Sequence, residues 1–193
     1  MKKWFIRFNI YLLALAICLV SGCQSDSAKE KAKMTKEEKE KAKKEEEIEK
    51  EKKKQASTLR LHLEVNADES GRNGPIQILR SNPFVVNINL APFLTETEIE
   101  RAWVEDVMGI PTIKVQFVSP QGLRMLDMIT SDNLRQRIAV FSFFGQERWL
   151  AAPQITQRIS DGVFSFTPDA TAEETERIVR GLNNFVEKIR KKR

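Results

Sequence analysis

The side chains able to perform nucleophilic, acid–base or metal chemistry are few in this chain. Among 193 residues there is one histidine, His62, and there are two cysteines, Cys18 and Cys23. A zinc or copper site needs several His or Cys ligands, and a catalytic Ser or Cys nucleophile needs a histidine beside it. We therefore predict that the protein holds no metal and no cofactor.

Paired carboxylates are the remaining candidates for catalysis. Glu105 and Asp106 are neighbours on a predicted strand, where consecutive side chains face opposite sides, so they do not share one site. Glu173 and Glu174 follow Thr171 at the spacing of a helix-capping box, which explains them structurally. The sequence contains no glycine-rich phosphate loop. We predict that the protein is not an enzyme.

The thiol of Cys23 has a different chemistry, because it ends a segment typical of a secretory signal. Lys2, Lys3 and Arg7 precede an apolar run of 11 residues, Ile10 to Val20, after which small residues lead to Cys23 and the chain becomes polar. A membrane-spanning helix needs about 20 apolar residues. The run therefore favours a cleaved signal over a spanning helix.

The segment Val20-Ser21-Gly22-Cys23 resembles the lipobox of bacterial lipoprotein precursors. The resemblance implies that residues 1–22 are removed and that Cys23 carries a diacylglyceryl lipid at the cell membrane or the outer membrane, on the extracytoplasmic side. Gln24, where an Asp indicates inner-membrane retention, favours the outer membrane. Because Cys18 leaves with the signal, no disulfide forms within the mature chain. The alternative is an uncleaved signal anchor with Cys23 as an ordinary thiol.

Positive charge is concentrated at the two ends of the chain. The net charge is +5, but residues 55–187 contain 12 Arg or Lys against 17 Asp or Glu. The globular part is therefore acidic, and a nucleic-acid partner is not expected.

Residues 23–55 form a predicted stalk composed mainly of Lys, Glu and Ala. Glu precedes Lys by four residues at several places, the orientation that stabilises a solvated helix. These pairs are Glu37/Lys41, Glu40/Lys44, Glu46/Lys50 and Glu49/Lys53. A disordered linker is one alternative, since the segment cannot form a core. A coiled coil is disfavoured by the lack of an apolar heptad seam.

Residues 56–187 form the predicted globular domain. Apolar and polar residues alternate from Leu59 to Val65, which predicts a strand with His62 on its solvent face. Further strands are predicted at 76–79, 84–90, 103–108, 112–118, 138–144, 148–152 and 163–166, and helices are predicted to begin after Thr95, Ser119 and Thr171. The predicted fold class is α+β: a mainly antiparallel sheet packed against two to three helices.

Several segments of this domain follow one another in a recognisable order. They are Pro92-Phe93-Leu94-Thr95, Ile110 to Phe117, Arg137-Ile138-Ala139-Val140, Ala151 to Ile155 and Ala172-Glu173-Glu174. The succession, over about 90 residues, resembles the head subdomain of the first large periplasmic domain of SecD, the accessory subunit of the Sec protein-export machinery. The resemblance implies the fold of that head and a capacity to contact unfolded or partner polypeptide. Because this sequence shows no transmembrane helices after the domain, the resemblance does not imply proton-driven translocation.

Two surfaces are candidates for binding. Six aromatic residues crowd neighbouring strand pairs: Phe141, Phe143, Phe144, Trp149, Phe164 and Phe166. Because Phe144 faces away from Phe141 and Phe143 on an alternating strand, we predict a partner contact near Phe144 and Trp149; the alternative is that all six belong to the core. The basic tail, residues 188–193, is a candidate membrane contact through Arg190, Lys191, Lys192 and Arg193.

Together these features predict a non-catalytic envelope lipoprotein that presents a SecD-head-like protein-binding domain to an envelope protein, as an auxiliary to protein export or envelope assembly. The alternative function is a structural tether that spaces the membrane from another envelope layer.

Overall fold

The computed structural model describes residues 26–68, 71–117 and 119–192, with side chains from residue 38 onward. Cys18, Cys23, the predicted signal segment and Arg193 lie outside the described residues. The elements in chain order are α1 (Asp26–Lys54), β1 (Thr58–Leu63), β2 (Asn73–Ile78), β3 (Phe84–Asn89), a 3₁₀ turn (Glu96–Glu98), β4 (Ile99–Val107), β5 (Ile110–Phe117), α2 (Pro120–Asp132), β6 (Ile138–Phe143), β7 (Glu147–Ala151), β8 (Val163–Phe166) and α3 (Ala172–Arg190).

Helix α1 has 29 residues and is about 44 Å long at 1.5 Å per residue. Two of the predicted Glu–Lys pairs are confirmed: the Nζ atoms of Lys44 and Lys50 lie 3.3 and 2.7 Å from carboxylate oxygens of Glu40 and Glu46. Exposed pairs of this kind stabilise a helix by a few tenths of a kcal/mol each. The chain divides into two units between Lys50 and Glu51, and the described strands belong to the second.

The strands of the globular unit form three antiparallel ladders. Their orders are β1-β6-β7, β2-β3 and β4-β5-β8. Every strand pair among them is antiparallel. Together with α2 and α3 they confirm the α+β class, although the predicted single sheet is divided into three.

Apolar side chains form two separate cores. The main core lies among the two three-stranded sheets, α2 and α3, and includes Leu126, Ile178 and Leu182. The second core lies beneath the β2–β3 hairpin, where hairpin residues pack on residues of or next to β6 and β7: Ile78, Val86, Ile88, Ala139 and Ala152. The sheet β1-β6-β7 is therefore covered on both faces.

The prediction that His62 faces solvent is wrong, because His62 is buried. Its ring packs edge-on against Trp149, with 5.1 Å between ring centroids. Its Nδ1 lies 2.9 Å from the carbonyl oxygen of Asn89 in β3; since a carbonyl only accepts, Nδ1 carries the proton. Alternation in β1 correctly predicted that Leu59 and Leu61 are buried. The opposite face, which holds His62, is covered by the β2–β3 hairpin.

Both predicted capping boxes are present, but only one begins an α-helix. Thr171 and Glu174 cap α3, whose apolar residues recur at helical spacing. Thr95 and Glu98 cap a 3₁₀ turn of three residues, so the short helix predicted after Thr95 is present as a single 3₁₀ turn and does not continue as an α-helix. The chain becomes extended at Ile99 because the next residues pair with β5. The Ser119 cap and the proline at the start of α2 are confirmed.

Candidate functional site

The aromatic residues predicted to meet a partner are mostly inside the molecule. Phe144 is 3% exposed and belongs to the main core, so its ring is not at the surface, and the partner contact near Phe144 and Trp149 stays a prediction. Trp149 is half-buried between His62 and Phe141. The exposed ring at this strand end is Phe143, at 45%. Phe144 is covered because the chain bends after β6 and turns its ring into the main core.

The basic tail begins within α3 rather than after it. Arg190 Nη2 donates a hydrogen bond to the backbone oxygen of Glu100, at 3.1 Å, and lies 3.7 Å from that residue's carboxylate. Lys191 and Lys192 follow the helix and are exposed. Arg190 therefore also has a role within the domain, and the membrane contact stays a prediction for Arg190 and the residues after it.

An apolar surface that the sequence analysis did not identify lies at the β4–β5 tip, residues Val107 to Ile110. The predicted hairpin exists, but its turn is Met108-Gly109, and Val107 pairs with Ile110. Both turn residues have positive φ, +56° for Met108 and +83° for Gly109. This is the type I′ geometry that suits two-residue hairpins. The Asp106 carboxylate accepts a hydrogen bond from the Gly109 N–H at 2.6 Å, which holds the turn.

The β4–β5 tip presents apolar side chains to solvent. Met108 is 98% exposed, and its neighbours Val107 and Ile110 are 43% and 52% exposed. A left-handed conformation costs a bulky residue roughly 1–2 kcal/mol, whereas Asn or Gly adopts it readily. Met108 therefore combines an unfavourable conformation with an unfavourable exposure, the combination expected where a side chain serves an interaction. The sequence does contain a signal for this surface: in the Met108-Gly109 turn, Met takes the position before Gly that Asn commonly occupies.

No grouping of metal ligands and no membrane-spanning helix occurs in the described part of the chain. No three His, Cys, Asp or Glu residues there lie close enough together to hold a metal ion. None of the described helices combines the length and the hydropathy required to span a bilayer.

No protein-family model matches the chain, and no curated protein matches it. Solved structures of SecDF do match. SecDF described as a membrane component that enhances protein export is 19% identical, with a TM-score of 0.47, over 67% of this chain and 63% of that chain. SecDF in a super-membrane-facing form is 20% identical, with a TM-score of 0.48, over 67% of this chain and 19% of that chain.

A third structure is SecDF from Thermus thermophilus, a translocon-associated membrane protein, which is 14% identical with a TM-score of 0.38. This chain covers 68% of its own length and 29% of that structure's, and it spans less than two thirds of all three. These three structures are all of SecDF, and the sequence resembles a part of SecD.

Proposed function

We propose that the protein is a lipid-anchored, non-catalytic envelope protein whose globular domain binds another polypeptide through the β4–β5 tip. The observation that carries the proposal is Met108, which is 98% exposed in a left-handed conformation. Thioether side chains are flexible and polarisable, so they adapt to apolar partner surfaces of varied shape.

A polypeptide fits the tip better than a lipid surface does. Before the tip, Glu105 is paired with Lys114, and the carboxylate of Asp106 leaves a negative charge that anionic lipids repel. Residues 105–110 contain no Trp, Tyr, Lys or Arg, the residue types that hold a protein at a membrane interface. The tip therefore has apolar contact area without the residues that would fix it in headgroups.

The substitution Met108→Asn separates binding from folding. Asn-Gly is the preferred type I′ turn. We therefore expect the free energy of unfolding of this variant to be about 1 kcal/mol higher than that of the wild type. Binding should nevertheless fall, because the exposed thioether is gone. Met128→Gln, which changes another half-exposed Met on α2, is the matched control and should leave binding unchanged.

Partner contact is measured with a photoreactive amino acid in the full chain, expressed in its own cells. We expect the same discrete protein adduct from positions 107 and 110, which flank Met108, and none from position 134, where Leu134 is also exposed. Introducing Met108→Asn should remove the adduct formed from position 110. Equal adducts from all three positions, or adducts with lipid only, would contradict the proposal.

The anchor is tested separately, by mass spectrometry of the mature protein. We expect the N-terminus at Cys23 with a diacylglyceryl mass on it; an unmodified N-terminus upstream of Cys23 would contradict the anchor.

The charged helix α1 favours a second candidate function, a tether between envelope layers. Crosslinks confined to the Lys residues of α1 and to the basic tail, with none from the β4–β5 tip, would support the tether instead.

A further inference from the structure

We propose that a pocket at the start of β4 takes a lysine side chain of a bound polypeptide. The inference rests on the proposal that the domain binds polypeptide, but it concerns a different part of the surface. At about 3.3 Å per residue, the nine residues of β4 separate this pocket from the β4–β5 tip by about 30 Å.

The pocket has a volume of about 190 Å³. Its apolar wall consists of Ile99 and Val186, which are buried, and Ile189, which is half-buried. Its polar wall includes carboxylates from the 3₁₀ turn and the start of β4: Glu96, Glu98 and Glu100. An apolar wall beside carboxylates matches a side chain that has an aliphatic stem and a cationic head.

Glu96 is the residue that points to a ligand. It is 9% exposed, and its Oε2 is buried with no hydrogen-bond partner among the described residues. No ion pair to Glu96 occurs among those residues either. A carboxylate hidden from water without a donor is destabilising, so an arriving ammonium group would satisfy a group that the fold itself leaves unsatisfied.

The neighbouring charged groups are already engaged, which isolates Glu96. The Glu98 carboxylate accepts hydrogen bonds from the Thr95 N–H, at 2.9 Å, and from the hydroxyls of Thr95 and Thr97. These bonds hold the pKa of Glu98 below its usual range although burial opposes them. Arg190, the cation of the pocket lining, is directed to the oxygens of Glu100. The pocket therefore has negative charge to spare and no free cation among its described lining residues.

Lysine suits this pocket better than arginine. A guanidinium binds best when both oxygens of a carboxylate are available in one plane. Because Oε2 of Glu96 is enclosed, two-point contact with this carboxylate is hindered, and an ammonium, which acts as a compact point charge, is the better match.

The test uses the full lipidated chain in detergent and two short peptides that differ only in a central lysine or norleucine. Binding is followed by the NMR methyl signals of Ile99, Val186 and Ile189. We expect the lysine peptide to bind at least about tenfold more tightly than the norleucine peptide, with both dissociation constants taken from the shifts of these signals. Glu96→Gln should abolish the difference, while Glu173→Gln, an exposed carboxylate on α3, should leave it unchanged.

Glu96→Gln also reports on the fold. Because the substitution replaces a carboxyl group whose Oε2 has no hydrogen-bond partner among the described residues, the variant should have an unfolding free energy equal to or greater than that of the wild type. A destabilised variant would assign Glu96 a structural role, and equal binding of the two peptides would overturn the pocket. Met108→Asn should not alter the lysine preference, so a failure of the pocket is distinguishable from a failure of the tip.

Discussion

The side-chain amide of Asn183 on α3 pairs with both backbone groups of Ala102 on β4. Its Nδ2 donates to the Ala102 oxygen at 2.8 Å, and its Oδ1 accepts from the Ala102 N–H at 2.9 Å. β4 is an edge strand of its sheet, so these outward groups have no neighbouring strand. The amide of Asn183 takes the place of that strand and blocks further pairing along this edge.

Replacing Asn183 should therefore destabilise the domain. Asn183→Asp keeps an acceptor but cannot donate to the Ala102 oxygen, and leaving that buried group unsatisfied costs about 1–3 kcal/mol. Urea unfolding measures the loss. The same amide-to-acid change at the exposed Asn66 is the control, and equal unfolding free energies for the two variants would contradict the role given to Asn183.

Gly181 lies where α3 crosses the segment before β1. Alanine in the middle of a helix normally stabilises by about 1 kcal/mol relative to glycine. Here a Cβ would lie 2.2 Å from Ser57 Oγ and 2.7 Å from the Ser57 backbone nitrogen. We expect Gly181→Ala to destabilise by about 1–3 kcal/mol, measured as a lower urea midpoint. If Gly181→Ala stabilised the domain instead, the close contact between α3 and Ser57 would not constrain the fold, and the prediction would be wrong.

His62 should make stability depend on pH near neutrality. Burial, the largest cause, lowers its pKa below the usual value, against the hydrogen bond to Asn89 and with the help of Arg60. As the pH falls, His62 is therefore protonated at a higher pH in the unfolded chain than in the folded protein. The free energy of unfolding should fall as the pH drops below about 6.5, until the folded-state pKa of His62 is reached.

Because His62 is the one histidine of the sequence, its ring proton signals give its pKa directly in a tag-free protein. The stability difference between pH 7.5 and 5.5 should shrink in His62→Gln, in which no imidazole titrates. An NMR pKa at or above about 6.5 would contradict the prediction.

Glu174 should contribute stability that is lost in acid. Its pKa is lowered mainly by the hydrogen bond from Arg148, with further help from the Thr171 N–H; the Arg148 Nη1 lies 3.1 Å from Oε1. A lowered carboxyl pKa gives stability above the unfolded value of about 4.3, which is lost as the pH falls through the lower folded pKa. Glu174→Gln, which can still accept from Thr171, should be destabilised at pH 7 and nearly equal to the wild type at pH 2. The neighbouring exposed Glu173→Gln is the control, and a pH-independent difference would exclude the ion pair as the cause.

Much of the fold follows from local patterns. The Thr171 box and apolar residues at helical spacing predicted α3, and alternation predicted β1 and the β4–β5 hairpin. The Thr95 box shows the limit of such patterns, because the same cap precedes a helix or a strand according to what the next residues pack against. The candidate site was harder to predict: aromatic content directed attention to Phe144, which is in the core, while Met108 is the most exposed large apolar residue among those that the structure describes.

The sequence by itself determined the elements whose causes lie within a few residues, namely the caps and the periodic faces; for the charged segment before β1 it favoured a helix but left a disordered linker as an alternative. Only the tertiary structure decided which faces are covered, because burial depends on segments far along the chain. The β2–β3 hairpin buries His62, and α3 reaches back 81 residues to close the β4 edge at Ala102. Glu96 likewise became notable only when β4 and the end of α3 enclosed its carboxylate without supplying a partner.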